Sequence, residues 1–149
     1  MPRINGNNRN NTLTGTNGSD TIDGRGGNDR IDGGLGNDFM FGGAGDDFII
    51  SNAGNDVMTG GSGADVFAIG PRSSGRITIT DFEDGVDRID LTQFGFNAQG
   101  ESASWAGFLS TEGADTIIQM YGVNGEFFEI ELQNFPYWQI DPSDYILFT

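Results

Sequence analysis

The sequence predicts an all-β chain: a parallel β-roll, that is a right-handed solenoid, followed by a β cap that contains a hairpin. Three observations predict it. A nine-residue unit repeats without a gap over residues 6–68. Within that unit glycine, aspartate and an apolar residue return at fixed positions. Past residue 68 the glycines thin out, and apolar and aromatic runs of strand length take over.

The repeat is plainest where Gly33-Gly34-Leu35-Gly36-Asn37-Asp38-Phe39-Met40-Phe41 is followed by Gly42-Gly43-Ala44-Gly45-Asp46-Asp47-Phe48-Ile49-Ile50. The frame runs on through 51–59 and 60–68 and back through 24–32 and 15–23. Its sixth position reads Asp20, Asp29, Asp38, Asp47, Asp56 and Asp65. Its fourth reads Gly18, Gly27, Gly36, Gly45, Gly54 and Gly63, and its eighth Leu13, Ile22, Ile31, Met40, Ile49, Met58 and Phe67. A copy at 6–14 is degenerate, with Asn11 in the acidic place and Arg9 in that of the fourth glycine. A flexible glycine linker would account for the glycine content. It would not account for an apolar residue at each eighth position with a carboxylate two residues before it.

Each copy has six turn-forming residues and three strand-like ones. One copy is too short to bury anything, but two make a coil of turn, strand, turn, strand. Stacked coils form two parallel sheets, with the eighth-position residues facing each other inside. Positions seven and nine then point outward. They begin polar (Thr12 and Thr14, Thr21 and Asp23, Arg30 and Asp32) and become apolar: Phe39, Phe41 and Val57 on one sheet, Phe48, Ile50, Val66 and Ala68 on the other. The expectation is that the second half packs over one of these faces and that the other meets a second copy or a partner.

The acids fall into two columns, Asp20, Asp38 and Asp56 on one edge and Asn11, Asp29, Asp47 and Asp65 on the other. Neighbours in a column stand one strand spacing apart, roughly 4.8 Å. Bare carboxylates at that distance repel by about 1 kcal/mol even in bulk water. A cation between each pair reverses the sign. The donors on offer are carboxylate and carbonyl oxygens, which suit Ca²⁺ better than Mg²⁺. Several Ca²⁺ ions are therefore expected, with metal binding and folding coupled.

Composition narrows the function classes. The 149 residues, one domain in length, carry a net charge of −15 and contain no Cys, His or Lys. Disulfides, thiolate and imidazole metal sites, histidine-dependent nucleophiles and Schiff bases are excluded. The charge argues against nucleic acid and against anionic lipid. No run of 18 apolar residues exists to insert into a membrane, and residues 1–6 hold no apolar signal core. Paired carboxylates are all that remains for catalysis, and most are assigned as ligands, so no enzyme is expected. Ice binding is discounted, because the outward positions form no regular Thr array.

The nonapeptide frame Gly-Gly-x-Gly-x-Asp-x-U-x, with U apolar, resembles the RTX (repeat-in-toxin) family of calcium-binding repeats. Residues 76–91, Arg76-Ile77-Thr78-Ile79-Thr80-Asp81-Phe82-Glu83-Asp84-Gly85-Val86-Asp87-Arg88-Ile89-Asp90-Leu91, are similar to the segment after the repeats in serralysin-type proteases and to repeat modules of mannuronan epimerases. The resemblance implies a β-roll with calcium between successive turns. Asp20 would pair with Asp38, Asp38 with Asp56, Asp29 with Asp47 and Asp47 with Asp65. Carbonyls of the glycine-rich positions, including Gly34, Gly36, Gly43, Gly45, Gly61 and Gly63, would complete the shells. The Asn11 copy departs from the pattern, and so do Ser51-Asn52 and Arg25 where other copies have glycine. Asp81, Asp87 and Asp90 form a further candidate site. The family resemblance also implies a secreted, extracellular protein exported by a type I route, and the acidic then apolar end at 141–149 is similar to such signals.

The expected organisation is thus a repeat unit over 6–68 and a β-rich cap over 69–149. In the cap, Asn124-Gly125 between Thr116–Tyr121 and Glu126–Leu132 reads as a hairpin, with Ile130 and Leu132 on the dry face and Glu129 and Glu131 on the wet one. Trp105, Phe108, Phe135, Tyr137 and Trp138 read as the core of this cap. The leading function is a secreted calcium-binding module that folds on Ca²⁺ and associates through its apolar faces, as a homo-oligomer, or assists export. The alternative is a carbohydrate-binding accessory module for an alginate-type polysaccharide, with Arg72, Arg76 and Arg88 as positive ground.

Overall fold

The structure, a computed structural model, describes residues 1–70, 72–92, 109–121, 127–140 and 145–146. Its strands are β1 (Arg3–Asn5), β2 (Thr12–Thr14), β3 (Thr21–Gly26), β4 (Arg30–Asp32), β5 (Phe39–Ala44), β6 (Phe48–Ser51), β7 (Val57–Ser62), β8 (Val66–Ile69), β9 (Gly75–Ile79), β10 (Arg88–Asp90), β11 (Leu109–Glu112), β12 (Asp115–Tyr121), β13 (Phe127–Leu132) and β14 (Tyr145–Ile146). Alternate strands go to opposite sheets. Sheet A is ordered β1-β3-β5-β7-β9-β13-β12-β11 and sheet B β14-β10-β8-β6-β4-β2. Every pairing from β1 to β10 is parallel. The chain is the all-β parallel roll that the nine-residue period predicts.

The register puts the eighth-position residues in two facing files. Ile4, Ile22, Met40, Met58 and Ile79 align along sheet A. Leu13, Ile31, Ile49, Phe67 and Ile89 align along sheet B. All are buried except Ile4 and Leu13, which close the first coil half-exposed. With one inward residue per rung the roll stays thin. It widens only at its far end, where Phe82 packs edge-on to Phe135 at a ring separation of 5.3 Å and also meets Phe67.

The roll is longer than the repeat frame. Ile4 lies one coil before Ile22, so the solenoid begins ahead of residue 6. At the other end Ile79 stacks on Met58 and Ile89 on Phe67, so both sheets continue past residue 68. The period lengthens there because extra residues enter the turns. The order Gly85-x-Asp87-x-Ile89-x still repeats the last six positions of the nonapeptide. Sheet A strands also run six residues rather than three, through the opening residues of the following copy.

The described strands of the second half extend the sheets. Strand β13 pairs parallel with β9, and β12 and β11 follow antiparallel. Strand β14 pairs parallel with β10 in sheet B. The hairpin pairing of β12 with β13 matches the expectation, while its turn at 122–125 lies outside the described residues. Arg76 on β9 fastens the addition: its guanidinium is 3.1 Å from Glu112, 3.1 Å from Glu129 and 3.6 Å from Glu131. Several acids on one Arg make a network, which holds better than a single exposed pair.

The two outer faces differ, and one expectation about the aromatic residues of the cap needs correcting. Phe39 and Phe41 remain 41% and 39% exposed on the outer face of sheet A, because the incoming strands add at its edge. Tyr137 and Trp138 are not cap core: they meet edge to face in a short 3-10 turn after Pro136 and are 51% and 74% exposed. Phe135 is buried as expected, whereas Trp105 and Phe108 lie outside the described residues. On sheet B, Ile50 and Ala68 are buried, and the Arg30 guanidinium lies 4.8 Å above the Phe48 ring.

A roll built on single-file cores should be sensitive to one lost rung. Ile49→Ala is expected to destabilise the calcium-saturated protein by roughly 2–5 kcal/mol, read as a lower urea midpoint with an unchanged slope.

Candidate metal centre

The turns leading into sheet A form one rim of the roll, and those leading into sheet B form the other. The acids stack along these rims as the spacing predicts, and each after Asp20 is engaged by the backbone of the coil before it. The amide of Asp20 donates to Asp38 Oδ1 at 2.8 Å and that of Asp38 to Asp56 Oδ1 at 2.9 Å. On the other rim the amides of Asn11, Asp29, Asp47 and Asp65 donate to Oδ1 of Asp29, Asp47, Asp65 and Asp87 at 2.6–2.9 Å. The carboxylates of a column are therefore interleaved with N–H groups, a relief of their repulsion that the sequence reading did not contain. Asp87 extends its column by one coil.

A second ladder runs beside the first. Position five offers a short acceptor side chain to the amide of position five in the next coil: Asn28 N–H to Asn10, Asp46 N–H to Asn28, Asn37 N–H to Ser19 and Asn55 N–H to Asn37, at 2.9–3.2 Å. Sequence reasoning passed over these residues. The signal was there, because the position reads Asn10, Ser19, Asn28, Asn37, Asp46 and Asn55 before Ala64 breaks it.

What remains open on the rims is one carboxylate oxygen on each of five acids. Asp29, Asp38, Asp47 and Asp65 each keep Oδ2 buried with no hydrogen-bond partner, and Asp20 keeps Oδ1 so. The Asp20 exception has a simple cause. The residue one coil earlier is Pro2, which has no N–H to give. Buried anionic oxygens without donors are costly to a protein.

The first glycine of each copy makes room for them. At Gly24 a Cβ would run into Asp29 Oδ2 and lie 2.6 Å from the Gly42 carbonyl oxygen. Gly42 holds the same relation to Asp47 Oδ2 and the Gly60 carbonyl. Carboxylate and carbonyl oxygens thus converge on a small space that no side chain fills. This donor set fits a hard cation such as Ca²⁺, with Asp29, Asp38, Asp47 and Asp65 as the carboxylates that would hold it and backbone oxygens beside them. Among the described residues no three acidic side chains converge on one point, so any such site depends on the backbone.

The remaining candidates are placed as follows. Gly34, Gly43 and Gly61 and, two residues on, Gly36, Gly45 and Gly63 all have positive φ. The carbonyls of Gly43 and Gly45 point at the Cα atoms of Gly61 and Gly63 in the next coil, where a side chain would collide. The Asp81 carboxylate accepts the Gly60 and Gly61 amides at 2.9 and 2.8 Å. Asp87 Oδ2 accepts the Glu83 amide at 2.9 Å, and Asp90 accepts that of Thr92 at 2.8 Å. Asp81, Asp87 and Asp90 are thus each taken up by different backbone donors.

Burial pushes the carboxyls of Asp38, Asp47 and Asp65 up to about 6 from an ordinary 3.8. The amide donors oppose this, and neighbouring carboxylates add to it. Burial also raises Asp29, Asp56 and Asp87. The metal-free folded chain therefore holds protons that the unfolded chain has released. Its stability should be greatest below about 4 and fall as pH rises through about 6. Thermal melts of dialysed, metal-free protein should give a higher midpoint at pH 4.5 than at pH 7.5, and saturating Ca²⁺ should reverse that order.

The fold and its rims define a class: a parallel β-roll whose turns present buried, donor-free carboxylate oxygens. The sequence places it further. The family model of the RTX calcium-binding nonapeptide repeat matches residues 5–40 and 36–67, as four copies. That span, a little under half the chain, consists of RTX repeats. Across nearly the whole chain the structure is similar to two solution structures from the Azotobacter vinelandii mannuronan C5-epimerase. With the AlgE6R3 subunit the TM-score is 0.60 at 28% identity, over 95% of this chain and 80% of that one. With the AlgE6R2 subunit it is 0.55 at 26% identity, over 98% and 92%. No curated protein matches the chain.

Proposed function

We propose that this chain is a secreted, non-catalytic calcium-binding module whose activity is calcium-dependent folding. The observation that carries the reading is the set of buried carboxylate oxygens without partners, on Asp20 and Asp38 of one rim and Asp29, Asp47 and Asp65 of the other. The RTX match over residues 5–67 supports calcium as the cation. When bound, the ion supplies positive charge in the rim, while the side chains and amides described above fix where each carboxylate stands. Calcium affinities of extracellular modules commonly lie at about 0.1–1 mM. Such a module would stay loose where calcium is scarce and set after export.

A second reading, an accessory module for an alginate-type polysaccharide, is favoured by the similarity to two subunits of a mannuronan C5-epimerase. Of the arginines named for it, Arg76 is taken up by three glutamates. Arg72 is exposed and makes no ion pair among the described residues. It lines a cleft with Thr14, Thr16, Asp32 and Asn52. Self-association through the exposed Phe39 and Phe41 remains part of the first reading.

Far-UV circular dichroism during a Ca²⁺ titration at pH 7.5 tests the folding reading. The strand signal should grow with Ca²⁺, return to its starting value in chelator, and respond little to equal Mg²⁺. An unchanged, strand-rich spectrum in chelator would refute it. Binding of mannuronate oligosaccharides in the presence and absence of Ca²⁺ separates the second reading.

A further inference from the structure

Past Asp20, the first acid, whose Oδ2 accepts the Thr16 amide at 2.6 Å and hydroxyl at 2.9 Å, Asp56 differs from the other repeat acids. Asp56 Oδ1 accepts the Asp38 amide like its neighbours. Its Oδ2, however, accepts the Ser51 hydroxyl at 2.6 Å, and both residues are almost wholly buried. Asp29, Asp38, Asp47 and Asp65 have no donor at that oxygen.

The cause is one substitution within the repeat. Ser51 stands at the first position, which is glycine in the other six copies. At Gly24, Gly42 and Gly60 the missing Cβ is what leaves space against Oδ2 of the following acid. At Ser51 that space holds a Cβ and a hydroxyl aimed at the acid. Ser51 is itself fixed, because its carbonyl accepts the Gly70 amide at 2.7 Å and the Ser73 hydroxyl at 3.0 Å.

The position in the rim matters as well. Val57 pairs with Thr78, so the residue stacked after Asp56 is Ile77, fully buried and apolar. Asp56 is thus the last acid of its column. The other rim ends in a comparable way, with both oxygens of its last acid, Asp87, taken by the Asp65 and Glu83 amides.

We propose that the Ser51 hydroxyl stands in for a cation at Asp56, so that the Asp20–Asp38–Asp56 rim closes on a metal-free rung. This rests on the calcium-binding reading and assigns the ions to the inner acids Asp29, Asp38, Asp47 and Asp65.

Isothermal titration of the full chain with CaCl₂ tests it, with circular dichroism at saturating Ca²⁺ as the folding check for each variant. Asp56→Asn should keep the wild-type number of ions, whereas Asp47→Asn should lose at least one. Ser51→Gly should gain one ion, and Ser51→Ala, which keeps the Cβ in the cradle, should leave the number unchanged. Loss of an ion in Asp56→Asn or Ser51→Ala would make the pair ligands and overturn the proposal, as would an unchanged number in a folded Ser51→Gly. If Ser51→Gly fails to fold, Asp56→Asn and Ser51→Ala decide. A wild-type chain that takes up no calcium would overturn the calcium reading itself, a result distinct from these.

Discussion

The structure depends on how a stack of carboxylates is kept from pushing its own coils apart. Asp29, Asp38, Asp47 and Asp65 each spend one oxygen on an amide of the coil before and leave the other buried and unpartnered. The amide ladder fixes the axial spacing and aligns the turns, but it does not neutralise charge. The unpartnered oxygens of Asp29, Asp38, Asp47 and Asp65 lie where burial opposes ionisation, and at Asp38, Asp47 and Asp65 like charge adds to it. At neutral pH positive charge must come from outside the chain, since none of its arginines donates to these oxygens.

The thin interior makes this constraint decisive. One apolar residue per rung, on a backbone rich in glycine, buries little surface against a large loss of chain entropy. The glycines add to that entropy and yet are required, because the first of each copy leaves the space beside the carboxylate and the second and fourth hold positive φ against the carbonyls of the previous coil. A sequence with larger residues there would lose less entropy on folding but would collide with the neighbouring coil and fill the cradle. On the proposed reading the ion sets this balance, through the same residues that shape the turns.

Much of this was legible in the sequence, since a solenoid writes its geometry as a period. The two sheets, the facing files of residues such as Ile22 and Ile31, and the acid columns follow from nine-residue spacing alone. The ends were harder to read. Ile4 stands ahead of the first recognisable copy, and Ile79 and Ile89 follow turns lengthened by insertions, so a strict frame stops short at both. The amide ladder was hidden for another reason. Whether Asp38 faces Asp20 across a cation or accepts its N–H depends on rotamer and turn geometry, which residue types do not specify. Tyr137 and Trp138 misled because large aromatic rings read as core, whereas the 3-10 turn after Pro136 turns them outward. Ser51, conspicuous as a gap in the glycine pattern, acquires a meaning only once its hydroxyl is seen on Asp56.

The central claim is that the orphaned oxygens mark cation positions. Anomalous diffraction from crystals grown in millimolar Ca²⁺, or with Tb³⁺ in its place, tests it most directly. The account predicts anomalous peaks in contact with the free oxygens of Asp29, Asp38, Asp47 and Asp65, inside stacked turns. Ordered turns with no peak at those four acids, or ions bound only at exposed acids away from the rims, would contradict it.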